Sequence, residues 1–412
     1  MKVWKCIVAL LTLILINILA WHLVYRWDMT DDHRYSISPS TKILLKSLDK
    51  PLEITILLEG ELNAGFNRLK KSTLEIIDEF KVYATIHSKH AANEIEQIPL
   101  EPTVIHERTH KGKITQTTIY PYALVRYGER TKIVSLLKNQ RGLSGEENLN
   151  NSIENLEYAF SEAIRQLTQT KIEKVAFLEG HGELTEPYVY DITQSLAEYY
   201  QVDRGVLSNE TGQLDDYKVV IIADPQHPFS EIDKYILDQY VMQGGRILWV
   251  INGVQFSEDL LSSQGNTPII ALDLNINDLL FRYGVRINPV LVQDLQCLLV
   301  PVDVSNNPSQ SNWQPIPWTF APLLLTSQSS PITCNIPQVS ATMVSAIDFV
   351  GGNDGLHKDI LLATSTASKL TTAPAHVDLS LGIDNENEFQ YAYIPIAASI
   401  EGSFQSLYTH LL

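Results

Sequence analysis

The sequence predicts an α/β protein. One N-terminal transmembrane helix (residues 1–27) precedes a small α/β domain (28–170), a doubly wound parallel-sheet domain (171–300) and a loop-rich, β-containing extension (301–412). Three observations carry this reading. After residue 171, short apolar runs alternate with helix-period segments of about 10 to 15 residues, the pattern of parallel strands joined by right-handed crossovers. One of those runs, KVVIIAD at 218–224, lacks polar alternation, as a strand covered on both faces should. The segment CIVALLTLILINILAWHLVY at 6–25 is apolar all round and long enough to span a bilayer.

Each element follows in order. Lys2 and Lys5 precede the apolar segment, while Asp28, Asp31 and Asp32 follow it, so the positive-inside rule leaves the N-terminus in the cytoplasm and the rest outside. Trp21, Tyr25 and Trp27 resemble an interfacial aromatic belt, and no A-x-A cleavage site follows, so an uncleaved anchor is preferred to a signal peptide. Ser38 caps a short helix with Pro39 at its first position. LEITILL at 52–58 reads as a buried strand, and the apolar spacing predicts a helix over 63–86. TTIYPYALVRYG and RTKIVSLL form a hairpin around the Gly128-Glu129 turn. Residues 139–147 read as a loop, and one amphipathic helix from Leu149 to Leu167 closes the domain.

The second domain reads as strand KVAFLEG, helix 187–200, strand KVVIIAD, a helix opened by Ser230 and closed by Gly244-Gly245, and strand RILWVING. A helix in LDLNINDLLFRYG and a further strand, VRINPVLVQ, follow. VDVSNNPSQSNWQPIPWTFAP reads as a long surface loop, before the shorter strand-like runs MVSAIDFV, DILLATS and YAYIPIAASI.

Length and composition narrow the function. The 412 residues exceed one average domain, and 44% hydrophobic with 19% charged residues is globular composition. A net charge of −17 argues against nucleic acid, whose phosphates need basic patches. The three cysteines, Cys6, Cys297 and Cys334, make no CxxC pair and no zinc spacing, so no structural metal is expected. Cys297 and Cys334 either pair or stand as separate buried thiols.

Ligands of parallel sheets bind at the carboxyl ends of the strands. Four stretches lie there: Glu179-Gly180-His181-Gly182-Glu183, Asp224-Pro225-Gln226-His227-Pro228, Asn252-Gly253, and the tail around Asp294. No serine or cysteine sits on a strand-to-helix elbow, and neither GxGxxG nor GxxxxGKS occurs. A metal hydrolase would draw on His181, Glu183, Asp224 and His227. A ligand or partner contact would use Glu179 to Glu183, Asp224 and Asn252. The structural reading is preferred: Gly180 and Gly182 permit unusual backbone angles, and His181 holds the strand end by hydrogen bonds. No catalytic residue and no cofactor are expected.

RYSISPSTKILLKSLDKPLEITILLEGELNAGFNRLKKSTLEIIDEF resembles the N-terminal signature of the GldG family of gliding-motility ABC transporter components. KVAFLEGHGE, YVMQGGRILWVING and DLLFRYGVRINPVLVQDLQC resemble that family's second domain, and PLLLTSQSSPIT and DILLATSTAS fit its later pattern. The chain departs from the family at Ser330-Pro331, where a histidine is often found. The resemblance implies an anchored partner of an ABC permease and, through it, of the ATPase. It places the bulk of the chain in the periplasm beside the inner membrane and the N-terminal helix in the lipid bilayer. It also implies an amidotransferase-like second domain serving assembly, and continuation into a second transmembrane helix; the first domain is expected to be a small α/β unit of thioredoxin-like type. The expected function is an extracytoplasmic scaffold. A solute-binding component and a hydrolase using the strand-end loops are the alternatives.

Overall fold

The computed structural model describes residues 37–60, 62–90, 100–108, 114–140, 142–169, 172–303, 305, 312–351, 355–379 and 385–409. The anchor expected at 1–27 lies outside them. No helix among the described residues is long and apolar enough to cross a membrane. The chain divides into two compact units, Met1–Lys171 and Ile172–Leu412.

The first unit holds helices α1 (Pro39–Lys46), α2 (Ala64–Phe80), α3 (Gly145–Glu154) and α4 (Leu156–Thr168). Its strands are β1 (Leu52–Ile56), β2 (Ile86–His90), β3 (Thr103–Arg108), β4 (Ile114–Ile119), β5 (Tyr122–Tyr127) and β6 (Arg130–Ser135). The sheet order is β2-β1-β5-β6, with β1 parallel to β2 and the other pairs antiparallel; β3 and β4 form a separate hairpin. Leu52, Ile54, Ile77, Phe80, Phe160 and Ile164 pack in its core. Ser38 caps α1 as expected, its hydroxyl accepting from the Thr41 N–H at 3.2 Å.

The single helix expected over 149–167 is two helices meeting at Asn155. A reciprocal capping box of Ser144 and Glu147 starts α3 four residues before the expected apolar stripe. Buried Asn148 and Ser152 of α3 accept from the backbone N–H groups of Gln140 and Lys138, tying down the preceding loop.

The second unit is built on a parallel sheet of β7 (Glu173–Glu179), β8 (Tyr200–Val206), β9 (Tyr217–Ala223) and β10 (Arg246–Val250). The order is β10-β9-β7-β8, and every pairing is parallel. Helix α5 (Tyr190–Ala197) follows β7, and α6 (Glu231–Met242) follows β9. Leu178, Val220 and Ile222 pack with Ile236, Leu237 and Tyr240 of α6 on one face. On the other, Val175, Phe177, Ile221 and Ala223 pack with Val189 and, from α5, Leu196. The strand order reverses between β7 and β9, which opens a crevice at their carboxyl ends.

Four expectations need correction. VRINPVLVQ adds no strand to the parallel sheet. Asn288-Pro289 splits it into Val285–Ile287 and Val290–Asp294, which pair antiparallel with Ile347–Phe349 and Ser368–Thr372. A proline gives the ladder no donor, so the run ends there. The expected surface loop at 302–322 is largely a β-ribbon, Cys297–Asp303 against Trp313–Thr326, with Trp318, Phe320 and Ala321 buried. Pro315 and Pro317 stand two residues apart, so both missing donors fall on one edge and the residues between carry the ladder. The helix expected over 187–200 ends at Ala197, and strand β8, for which there is no expectation, begins at Tyr200. Pairing also runs across residue 300, where a boundary was expected, through Asn266–Ala271 with Ala375–Asp378 and the two pairs above. Cys297 and Cys334 are free thiols.

Candidate functional site

The crevice between β7 and β9 is centred on His181. Gly180 and Gly182 flank it with φ of +116° and +77°, angles that side chains rarely adopt. At Gly182 a Cβ would also stand 3.1 Å from Gln226 Cβ, so the β7 and β9 loops touch through the missing side chain. The His181 carbonyl accepts from the N–H groups of Gln226 and His227 at 2.7 and 2.8 Å, closing the β9 loop over it.

The His181 side chain is held on every side. Its ring stacks on Phe229 with centroids 3.8 Å apart and 15° between planes. Nδ1 lies 3.2 Å from Glu183 Oε1, and Nε2 lies 3.3 Å from Asp233 Oδ2. The second Glu183 oxygen accepts from the His181 N–H at 2.7 Å. The Asp233 carboxylate also accepts from the Ser230 hydroxyl and N–H, the capping box that opens α6.

Both ring nitrogens therefore face carboxylate oxygens, which only accept. A neutral ring would turn a lone pair toward one of them. Burial alone pulls the His181 pKa down, but hydrogen bonds and charge from Glu183 and Asp233 outweigh it, and the net value is raised above 6.5. The Glu183 side chain is only 2% exposed, so the imidazolium supplies the countercharge that a buried carboxylate needs. Both ring nitrogens are thus engaged by carboxylates, Nδ1 by Glu183 and Nε2 by Asp233.

The sign of the pH dependence follows. A raised folded-state pKa contributes stability that is fully present below 6.5 and is lost as pH rises through the folded value. The His181 ring resonances should titrate above 6.5. The amides of 180–184 should exchange faster on the alkaline side of that midpoint. In His181→Ala the pH step in loop exchange should vanish.

The other expected residues take separate posts. Arg204 of β8 donates from Nε to Glu179 at 2.8 Å and from Nη2 to the Leu184 carbonyl at 3.0 Å, while its guanidinium lies 5.2 Å from the Phe177 ring centroid. Asp224 adopts φ +53°, accepts from Asn252 Nδ2 at 3.3 Å, and has its pKa raised by burial and by the Glu258 charge. Asp224 is not a hydrogen-bond partner of His181, and the His227 ring is exposed. Among the described residues no group of three or more His, Cys, Asp or Glu is placed to hold a metal ion. Asp294 is not part of the crevice group either. It is fully buried and accepts from Ser365 N–H and hydroxyl, Gln296 N–H and Ser368 hydroxyl.

Sequence reasoning missed Asp233, Phe229 and Arg204. The spacing Ser230-x-x-Asp233 signals a helix start, but nothing local shows that the same carboxylate reaches a histidine 52 residues away.

Residues 173–411 match the model of a family described as an ABC-type uncharacterized transport system, so the match covers more than half of the chain. The chain belongs to this family of ABC transport auxiliary proteins. The match spans β7 to the last described segment, and so includes the whole His181 crevice. A second model, a domain of unknown function (DUF7088), matches residues 31–126, within the first unit of this ABC transport auxiliary protein. No curated protein matches. Among solved structures, the mmIFT52 N-terminal domain is similar at 16% identity and a TM-score of 0.34, covering 54% of this chain and 86% of that one.

Proposed function

We propose that this ABC transport auxiliary protein is a membrane-anchored, extracytoplasmic scaffold subunit of the GldG type, which docks on a permease and carries no catalytic site. The observation that carries the proposal is the family match over 173–411. The geometry of the crevice supports it, because the histidine best placed for chemistry is committed to holding two loops together. The apolar segment 6–25 supports the anchor and the periplasmic position of both units. The order β2-β1-β5-β6, a βαβ followed by a ββα, supports a thioredoxin-like first unit. The parallel order β10-β9-β7-β8 supports an amidotransferase-like second unit.

Extraction in mild detergent followed by affinity purification tests the proposal. The chain should bring down a permease and its ATPase, and His181→Ala should leave that recovery intact at a pH where the loop is already loose. Recovery of the chain free of any transporter subunit, from cells that express them, would overturn the scaffold reading.

The strained φ of Asp224 beside Asn252, at the carboxyl ends of β9 and β10, favours solute binding as the second reading. A ligand at 100 times its Kd would stabilise the fold by about 2.7 kcal/mol. No small solute in a metabolite panel should produce such a thermal shift. A reproducible shift that Asn252→Ala abolishes would establish delivery instead.

A further inference from the structure

Helix α6 buries an apolar stripe and part of a polar one. Ile236, Leu237 and Tyr240 face the sheet. Glu231, Lys234 and Asp238, at spacings of three and four, form a second row that is polar. Lys234 and Asp238 in that row are 1% and 0% exposed. Lys234 is neutralised by Asp278 at 2.8 Å and Glu231 at 3.1 Å.

Besides its neighbour Gln239, Asp238 is satisfied by groups far off in sequence. Tyr283 donates its hydroxyl at 2.8 Å, Ser406 its hydroxyl at 2.6 Å, and Leu407 its N–H at 3.1 Å. Two of those donors belong to one irregular segment, Phe404–Thr409. The same segment sets the Phe404 ring against Tyr283 and the Tyr408 ring against Tyr235, each pair with centroids 5.2 Å apart and steeply tilted. The Tyr408 hydroxyl donates to Glu231, and burial with the nearby carboxylates pushes that phenol up to about 12.

We propose that Phe404–Thr409 is a strap whose seating along α6 sets the order of the 180–184 loop, which the same helix holds through Asp233. The link is the helix itself. Asp238 holds the strap, and Asp233, five residues earlier, holds His181. Those two residues are about 7.5 Å apart along the axis. If the strap leaves, Asp238 keeps Tyr283 and its neighbour Gln239, whose Nε2 donates at 3.2 Å, but loses two of its four donors while buried. Close-packed interiors switch between discrete arrangements rather than stretch, so α6 moves to hydrate its polar row. The His181 Nε2 to Asp233 contact, at 3.3 Å, has no slack to follow such a shift. The loop is then left with Glu183 as the one carboxylate partner of its histidine. Coupling of this kind is reciprocal, so loosening the cap also loosens the strap.

The test uses the full chain, hydrogen exchange by mass spectrometry, and the His181 ring resonances. The double substitution Phe404→Ala/Ser406→Ala removes the strap's ring contact and one Asp238 donor. Exchange should accelerate about fivefold or more at 404–409 and also at 180–184. Asp233→Asn should accelerate exchange at 404–409 in return. The β1–β5 amides of the first unit should not change, which separates coupling from general unfolding. A strap that loosens while the 180–184 amides and the His181 resonances stay as they were would overturn the proposal. If the double variant fails to fold, Tyr408→Phe deletes only the hydroxyl contact to Glu231 and is read in the same way. The measurement needs no partner, so it stands or falls independently of transporter co-purification.

Discussion

Asp294→Ala is expected to destabilise the second unit by about 4 kcal/mol. Its carboxylate is fully buried and takes four donors: Ser365 N–H and hydroxyl at 2.6 Å each, Gln296 N–H at 2.8 Å and Ser368 hydroxyl at 3.3 Å. Alanine leaves two backbone N–H groups and two hydroxyls facing a cavity. Each unsatisfied buried group costs about 1–3 kcal/mol, and the hydroxyls turn to other acceptors more easily than the amides do. Asp294→Asn keeps one acceptor but points an NH2 at donors, so it should recover only part of the loss. Chemical denaturation, with exchange of the Val290–Asp294 and Ser368–Thr372 amides as the local readout, checks this. A loss under about 1 kcal/mol would show that the surrounding donors find other partners.

Gly253→Ala is expected to cost about 3 kcal/mol or more, by a different route. A Cβ at this position would stand 2.2 Å from the Asn288 carbonyl oxygen, which is main chain and has no rotamer to escape into. The Gly253 N–H donates to Ser345 at 2.9 Å, and its carbonyl accepts from Leu272 N–H at 3.1 Å, so the residue is pinned on both sides. Retreat of either chain pulls at Asn252, which donates to Asp224. Thermal unfolding should fall sharply, with Asp224 losing the partner that counters its raised pKa. Gly145→Ala is the control. Nothing lies within 4 Å of a Cβ there, at the start of α3, and the change should be neutral or stabilising by about 0.5 kcal/mol.

The sequence made the parallel core legible because its signal is local. KVAFLEG and KVVIIAD are unbroken apolar runs, and each forms a strand within one residue or so of its expected place. The capped helix starts at Ser38 and Ser230 were legible for the same reason. What failed depended on distant partners. Trp313–Thr326 looks like loop because prolines weaken its local strand signal, yet its neighbours across the ribbon fix it as a strand. Asn155 breaks a helix whose apolar period runs straight through it. At the crevice, the glycines and His181 could be placed on the β7 tip from sequence alone. Asp233 and Arg204 could not, since each belongs to a different element that only the folded sheet brings near.

The antiparallel pairs that straddle residue 300 have a practical outcome for anyone shortening this chain. A fragment ending there would strip the partners from Asn266–Ala271, Val285–Ile287 and Val290–Asp294, exposing three ladders of unpaired amides to solvent. Such edges invite pairing with other molecules, so the fragment should precipitate, whereas a cut near 171 severs no sheet among the described residues.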